Sequence, residues 1–287
     1  MAEPAYSEGE WTSADGLTLR YRDYPGRADR PPLLCIPGLT RNCRDFEPLA
    51  ERFAGDWRVI AIDLRGRGQS DYARDAASYM PLQYVADVAA LLDQAGLERV
   101  VAIGTSLGGV VTMLLAMTAP ERIAAAVLND IGPEVEATGL ARIRDYVGQG
   151  RSYPTWMHAA RGLKEQGGVA YPDFAISDWL RLAKRLMVVG PGGRIAFDYD
   201  MKIAEPFNRA EGTAPVDMWP AFRALADRPV LAVRGALSDI LSAATLKRMG
   251  RELKGLKAVT VPRVGHAPTL EEPAAQQGIA ALLAKVA

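Results

Sequence analysis

An alternation of short apolar runs with amphipathic helical stretches constrains this chain more than any other feature of its sequence. Strand-like runs and helical patterns alternate in the order 33–36, 46–53, 58–62, 82–94, 100–103, 107–118 and 124–129. Strands that are apolar on both faces are typical of parallel sheets covered by helices on each side. The pattern predicts an α/β protein, and we expect its reactive groups at the carboxyl ends of the strands.

The alternation stops in the middle of the chain. Residues 131–218 are mostly helical in pattern, with Gly-rich and Pro-rich breaks, and strand-like runs return at 230–233 and 258–261 before a closing helix. An insertion into the sheet explains this order. We predict a mostly parallel, twisted sheet flanked by helices, with a first core part, a helical insertion and a second core part at residues 1–130, 131–218 and 219–287.

Composition argues against several classes of protein. The 287 residues include 34 basic and 34 acidic side chains, so the chain lacks the positive excess typical of nucleic-acid binding, and a small molecule is the expected partner. No run is long and apolar enough to span a membrane, and the first ten residues do not resemble a secretory signal. We therefore expect no membrane partner and a cytoplasmic protein.

Two cysteines and two histidines favour neither a metal site nor another cofactor. Composition leaves the oligomeric state open.

Ser106 is the candidate nucleophile. It is the centre of a Gly-x-Ser-x-Gly pentad, residues 104–108, which lies between the strand-like run at 100–103 and the helical run after it. On such a turn the serine hydroxyl stands exposed above the sheet, and small neighbours let the strand and helix approach each other. The first helical N–H groups, beginning with that of Leu107, then lie where negative charge develops on an attacked carbonyl. An ordinary Gly-rich turn is the alternative.

A serine nucleophile needs a base and an orienting acid. His266 follows the last strand and can reach the same sheet edge, whereas His158 lies in the insertion among aromatic residues. Two acids follow strands at that edge, Asp130 and Asp239. We favour Asp239, because the penultimate strand leads into the loop nearest that of His266. Asp130 is the alternative acid, or else a hinge that anchors the insertion.

Four segments together resemble the α/β-hydrolase superfamily over nearly the whole chain. They are residues 63–70, 104–109, 234–239 and 265–266. The resemblance implies a Ser–Asp–His triad, a structural turn at 63–70 and a cap formed by the insertion. It also implies a second oxyanion donor, the N–H of Leu39. Members usually carry His-Gly where this chain has Pro37-Gly38, but proline at 37 leaves the N–H of Leu39 intact.

The predicted activity is that of a serine esterase that forms an acyl-enzyme on Ser106, acting on a small or medium, largely apolar carboxylic ester. A serine nucleophile argues against the epoxide hydrolases and haloalkane dehalogenases of this fold, which use a carboxylate. A carbon-carbon hydrolase acting on a dienoate or a β-diketone is the first alternative. A ligand receptor on the hydrolase fold, with little turnover, is an alternative of another class, since some such proteins retain the triad.

Candidate substrate-binding residues lie in two regions. Arg41 and Asn42 follow the predicted oxyanion loop and are suited to a substrate carboxylate, although the favoured interpretation is an ordinary loop role. Trp156 and Trp179 belong to the aromatic content of the insertion, which suits either an apolar pocket or the core of the insertion itself.

Overall fold

The computed structural model describes residues 5–209 and 216–287. Its eleven described strands are β1 Ser7–Thr12, β2 Thr18–Tyr24, β3 Leu33–Ile36, β4 Val59–Asp63, β5 Val100–Thr105, β6 Ile123–Asn129, β7 Ser152–Tyr153, β8 Met187–Val189, β9 Ile195–Phe197, β10 Val230–Gly235 and β11 Lys257–Val261. Its described α-helices are α1 Glu47–Phe53, α2 Pro81–Gln94, α3 Leu107–Thr118, α4 Ala137–Tyr146, α5 Trp156–Gly167, α6 Ile176–Leu186, α7 Ala204–Arg209, α8 Trp219–Arg223, α9 Ala243–Glu252 and α10 Pro273–Leu283.

Eight strands form one sheet in the order β1-β2-β4-β3-β5-β6-β10-β11. β2 pairs antiparallel with β1 and β4, and every pairing from β4 to β11 is parallel. The predicted, mostly parallel sheet is therefore confirmed, and it begins with two antiparallel pairings. The order also places β5 at the centre, with β3 on one side and β6 on the other.

The central strands are buried on both faces, which explains their continuous apolar sequence. In β5, Val101 and Ile103 pack into the core on one face of the sheet, while Val100 and Ala102 pack into the core on the other. Successive side chains of a strand point to opposite faces, so a strand covered by two helical layers must be apolar at every position.

Helix boundaries follow local chemistry. Pro81 and Pro273 occupy the first turns of α2 and α10, where a missing N–H costs no hydrogen bond. The hydroxyl oxygens of Thr155 and Ser242 accept N–H groups in the first turns of α5 and α9. These caps begin helices whose apolar faces then pack on the sheet or within the insertion.

The chain between β6 and β10 is less helical than its pattern predicts. It holds α4 to α8, but β7, β9 and β8 also form a small antiparallel sheet in that order. The Gly-Pro-Gly-Gly stretch at 190–193, which reads as a break between helices, is the turn between β8 and β9, and Gly192 and Gly193 have positive φ angles of 82° and 76°. Strands of two or three residues are too short to show a period of two, so the pattern does not reveal them.

This insertion lies against the carboxyl edge of the main sheet. Backbone bonds join Gly265 to Ala170 and Asp200 to Gly66, and Asn42 donates its side-chain N–H to the carbonyl of Arg185. Its own core is built around Trp179, Leu182 and Ala183 of α6. None of the described helices is both long and apolar enough to cross a membrane.

Candidate active site

Ser106 stands on a sharp turn between β5 and α3. Its backbone has a φ of 52° and a ψ of −116°, a conformation that costs free energy for any residue except glycine. The neighbouring glycines make the turn possible. A Cβ atom at Gly108 would lie 2.0 Å from the carbonyl oxygen of Ile36, and one at Gly104 would lie 2.3 Å from the carbonyl oxygen of Gly108. The pentad is therefore a strand-to-helix elbow and not an ordinary Gly-rich turn.

His266 lies within hydrogen-bond distance of this serine. Its Nε2 is 2.9 Å from the Ser106 Oγ, and its Nδ1 is 2.8 Å from the Oδ2 of Asp130. The His266 side chain is 9% exposed and that of Asp130 is fully buried. In a neutral imidazole, a hydrogen bond from Nδ1–H to a carboxylate leaves Nε2 as the acceptor that a base acting on the serine hydroxyl requires.

The loop that carries His266 is held from two sides. The Asn129 Nδ2 donates to the carbonyl of Pro268 at 2.8 Å and contacts the Thr105 Oγ1 at 3.1 Å. From the insertion, the Tyr171 hydroxyl donates to the carbonyl of Ala267 at 2.7 Å. The ends of β5 and β6 and the insertion thus fix the imidazole above the sheet.

Asp130 makes three hydrogen bonds through its two carboxylate oxygens. Oδ1 accepts the backbone N–H of Gly235 at 2.8 Å, and Oδ2 accepts the hydroxyl of Ser238 at 2.6 Å in addition to its contact with His266. The residue has a φ of 55°, in the left-handed region. A buried carboxylate needs such partners, because an unpaired buried charge is costly.

The preference for Asp239 as the partner of His266 is wrong in this structure. Both carboxylate oxygens of Asp239 instead accept hydrogen bonds from Arg142 of α4, at 2.5 and 2.8 Å. The Arg142 guanidinium lowers the pKa of this carboxyl below its ordinary value. The sequence places the loop of Asp239 nearest to that of His266 along the chain. In the sheet, however, β6 is the strand beside β5, so Asp130 leaves the sheet next to Ser106. The loop after β10 contributes Ser238 and the Gly235 N–H, which hold Asp130.

The predicted oxyanion donors Leu39 and Leu107 both belong to segments that lie beside the nucleophile. Leu107 is the first residue of α3, and neither its N–H nor that of Leu39 donates to a protein acceptor within the described residues. The loop before Leu39 lies beside the nucleophile, since a Cβ atom at Gly38 would be 3.6 Å from that of Ser106. A role of these two N–H groups as oxyanion donors stays a prediction.

Arg67 supports this loop, a role that sequence reasoning missed. Its side chain is fully buried, its Nε donates to the carbonyl of Leu39 at 2.9 Å, and its Nη1 donates to the carbonyl of Arg65 at 2.6 Å. The segment 63–70 is a structural turn, as the resemblance implies, but it also orients the peptide next to Leu39. The feature of the sequence that could have indicated this role is the presence of two arginines in a short glycine-containing turn.

A cleft of about 600 Å³, including its open mouth, adjoins His266. Of the predicted substrate-binding residues, Arg41 and Trp179 line it. Asn42 does not, because it is fully buried and caps a short helical turn through its contact with the Arg44 N–H. Trp156 packs against the core of the insertion and does not line the cleft.

Further residues of the cleft were not predicted from the sequence. They include Arg142 and Tyr146 of α4, Gln166 of α5, and Tyr171. Arg142 and Tyr146 are four residues apart and therefore share one face of their helix. The shared face could be inferred from that spacing, but only the fold shows that this face lines the cleft. Among the described residues, no group of three or more His, Cys, Asp or Glu side chains is placed to hold a metal ion.

Comparisons with known proteins agree with this geometry. A family model described as "alpha/beta hydrolase fold" matches residues 31–273. The chain is 34% identical, over 281 residues and 95% of each chain, to the 3-hydroxybutyrate-oligomer hydrolase of Cupriavidus necator. It is 28% identical, over 87% of its own length and 85% of the relative's, to the 2-(acetamidomethylene)succinate hydrolase of Mesorhizobium japonicum. The crystal structure of an α/β hydrolase from Novosphingobium aromaticivorans shares 61% identity with a TM-score of 0.96, covering 99% of this chain and all of that one.

Proposed function

This chain belongs to the α/β hydrolase family, and we propose that it is a serine hydrolase that cleaves carboxylic esters through an acyl-enzyme. The observation that carries the proposal is the hydrogen-bonded series from the Ser106 Oγ through His266 to Asp130, with contacts of 2.9 and 2.8 Å. The proposed acid is Asp130, in place of Asp239.

The reaction follows from these positions. The Ser106 Oγ attacks the ester carbonyl while the His266 Nε2 takes its proton, and Asp130 stabilises the imidazolium that forms. The N–H groups of Leu39 and Leu107 bind the oxyanion of the tetrahedral intermediate. His266 then returns the proton to the departing alcohol. A water molecule, deprotonated by His266, releases the acid and restores the serine.

The cleft supports a largely apolar ester of small or medium size, and the name of one relative supports an ester bond. Aliphatic and aromatic side chains form much of the cleft wall, including Leu163, Leu182, Leu186 and Phe197. The relative from Cupriavidus necator is named for a hydroxybutyrate oligomer, in which the units are joined by ester bonds. We propose the insertion, residues 131–218, as the cap that limits substrate size. Location in the cytoplasm stays a prediction from sequence.

A carbon-carbon hydrolase is the second candidate, and one observation favours it. Arg41 lines the cleft, where it is suited to the carboxylate of a dienoate or a related ring-fission product. Turnover of such a ring-fission product, without turnover of simple esters, would rank this candidate first. A ligand receptor would instead be indicated by ligand-induced thermal stabilisation with negligible hydrolysis, if Ser106→Ala showed the same stabilisation.

Active-site labelling tests the proposal. A fluorophosphonate should modify Ser106 in the wild type, fail in Ser106→Ala and react far more slowly in His266→Ala. His158→Ala is the matched control, because His158 is exposed and, among the residues that the structure describes, its ring forms a hydrogen bond with Thr155 and none with the candidate site. It should label at the wild-type rate. Absence of labelling in the wild type, or equal loss in both histidine variants, would contradict the proposed nucleophile and base.

Ester hydrolysis completes the test. 4-Nitrophenyl esters of increasing acyl length should be hydrolysed by the wild type, with activity falling at long chains because the insertion bounds the cleft. A preference for long, insoluble acyl chains would contradict the proposed substrate size.

A further inference from the structure

The polar side chains of the cleft beside His266 share one property, which is that they can donate hydrogen bonds. Apart from one threonine, the catalytic imidazole and backbone groups, the polar side chains that line it are Arg41, Arg142, Tyr146, Gln166, Tyr171 and Trp179. All of them carry hydrogen-bond donors, and no Asp or Glu among the described residues lines the cleft. A pocket that offers donors and positive charge is suited to an anionic ligand group.

Two of these donors have no partner within the described chain. The indole Nε1 of Trp179 is buried in a residue that is 1% exposed, and the amide Nε2 of Gln166 is also buried. They come from adjacent helices, since a Cβ atom at Gly167 would lie 3.3 Å from the Trp179 ring. A buried donor without an acceptor costs free energy, and a bound acceptor removes that cost.

The two arginines differ in how firmly they are held. Arg142 is engaged at two nitrogens by Asp239, so its guanidinium is already matched to a carboxylate. Arg41 contacts Asp45 through its Nη1, which lies 3.3 and 3.4 Å from the two carboxylate oxygens, and it also interacts with the Tyr171 hydroxyl, so no carboxylate is matched to its guanidinium at two nitrogens. Asp45 lines a neighbouring cavity and not this cleft. Arg41 thus has donors available for a ligand.

We propose that the cleft selects esters that carry a free carboxylate, and that Arg41, Gln166 and Trp179 receive this group while Ser106 attacks the ester carbonyl. This inference rests on the proposed ester hydrolysis and adds the charge of the substrate to it. A carboxylate offers two oxygens with about four acceptor sites, which suits a guanidinium and two neutral donors. A neutral acyl chain of the same length leaves the Gln166 and Trp179 donors unpaired and offers Arg41 no acceptor.

A matched pair of substrates measures this selection. Mono-4-nitrophenyl adipate and 4-nitrophenyl hexanoate have the same number of acyl carbons, but only the first ends in a carboxylate. The wild type should show the higher kcat/KM for the adipate. In Arg41→Gln the ratio of the two kcat/KM values should fall by about 10-fold to 100-fold, the range for a hydrogen bond to a charged group.

Two further variants separate recognition from general effects of charge. Arg41→Lys keeps the charge and should restore part of the ratio. Arg181→Gln removes a positive charge from an exposed position on α6, where the arginine pairs with Asp178, and should leave the ratio unchanged. Trp179→Phe, which keeps the ring and loses the N–H, should lower the ratio by about 3-fold to 10-fold. A wild-type preference for the hexanoate, or an equal ratio in Arg41→Gln and Arg181→Gln, would overturn the inference.

Binding to an inactive variant distinguishes this inference from the proposed reaction. Calorimetry with Ser106→Ala should detect monomethyl adipate and not methyl hexanoate, and the additional change Arg41→Gln should abolish the difference. If neither nitrophenyl ester is hydrolysed but monomethyl adipate binds in this Arg41-dependent way, the ester hydrolase proposal fails and the carboxylate site stands. If both esters are hydrolysed and monomethyl adipate shows no preference, the carboxylate site fails alone.

Discussion

Replacing Asp130 by Asn should disable the enzyme by reversing the protonation of one imidazole. The Oδ1 of Asp130 accepts the Gly235 N–H, while its Oδ2 faces the His266 Nδ1 at 2.8 Å. In Asp130→Asn, the amide oxygen is held by the Gly235 N–H, so the NH₂ group faces Nδ1. The imidazole must then accept at Nδ1 and carry its proton on Nε2, where it can no longer take the proton of Ser106.

The expected loss is large because the variant keeps its shape. An aspartate-to-asparagine change of this kind in a serine protease triad lowers kcat by about 10⁴-fold, which corresponds to a rise of about 5 kcal/mol in the activation free energy. We expect a similar fall here in the rate of 4-nitrophenyl butyrate hydrolysis and in the rate of fluorophosphonate labelling. Circular dichroism and thermal melting should show that the variant remains folded.

Asp239→Asn is the matched control. Asp239 pairs with Arg142, and both side chains are more than a third exposed, so the change should alter kcat less than about tenfold and stability by at most about 1 kcal/mol. The pKa of Asp239 is lowered, so whatever the pair contributes to stability is present above the ordinary carboxyl pKa and is lost as the pH falls through the folded value. If Asp239→Asn abolished turnover and Asp130→Asn retained it, the assignment of the acid would be refuted.

Two further predictions concern the support of the site. Gly108→Ala should lower the free energy of unfolding by about 3 kcal/mol or more, because the added methyl group would lie 2.0 Å from a backbone oxygen of the neighbouring strand. Gly250→Ala in α9 is the control, since its methyl group meets nothing within 4 Å, and it should be neutral or stabilising. Urea titration measures both changes. Arg65→Ala should lower the free energy of unfolding by about 3 to 5 kcal/mol, because it leaves the fully buried Asp87 carboxylate without its arginine. Arg27→Ala breaks an exposed ion pair and should leave the melting temperature unchanged. Similar losses in the two members of either comparison would contradict these arguments.

The type of fold and two residues of the candidate triad follow from the sequence alone. Continuous apolar strands such as β5 are stable only between two helical layers, so the pattern required a covered parallel sheet. Within it, a serine between small residues at a strand-to-helix turn marked Ser106, and His266 was the one histidine after a strand end. These inferences depend on neighbours along the chain, which a sequence displays directly.

Which acid contacts His266, and which groups line the cleft, depends on the three-dimensional arrangement of distant segments. Asp130 and Asp239 both follow strands at the correct edge, but β6 lies beside β5 in the sheet, and the Asp130 carboxylate is the one at 2.8 Å from the His266 Nδ1. Likewise, Arg41 and Trp179 are 138 positions apart (179 − 41), and their shared cleft depends on how the insertion packs on the core. Such contacts are set by packing between distant segments, for which local hydrophobic patterns carry no information.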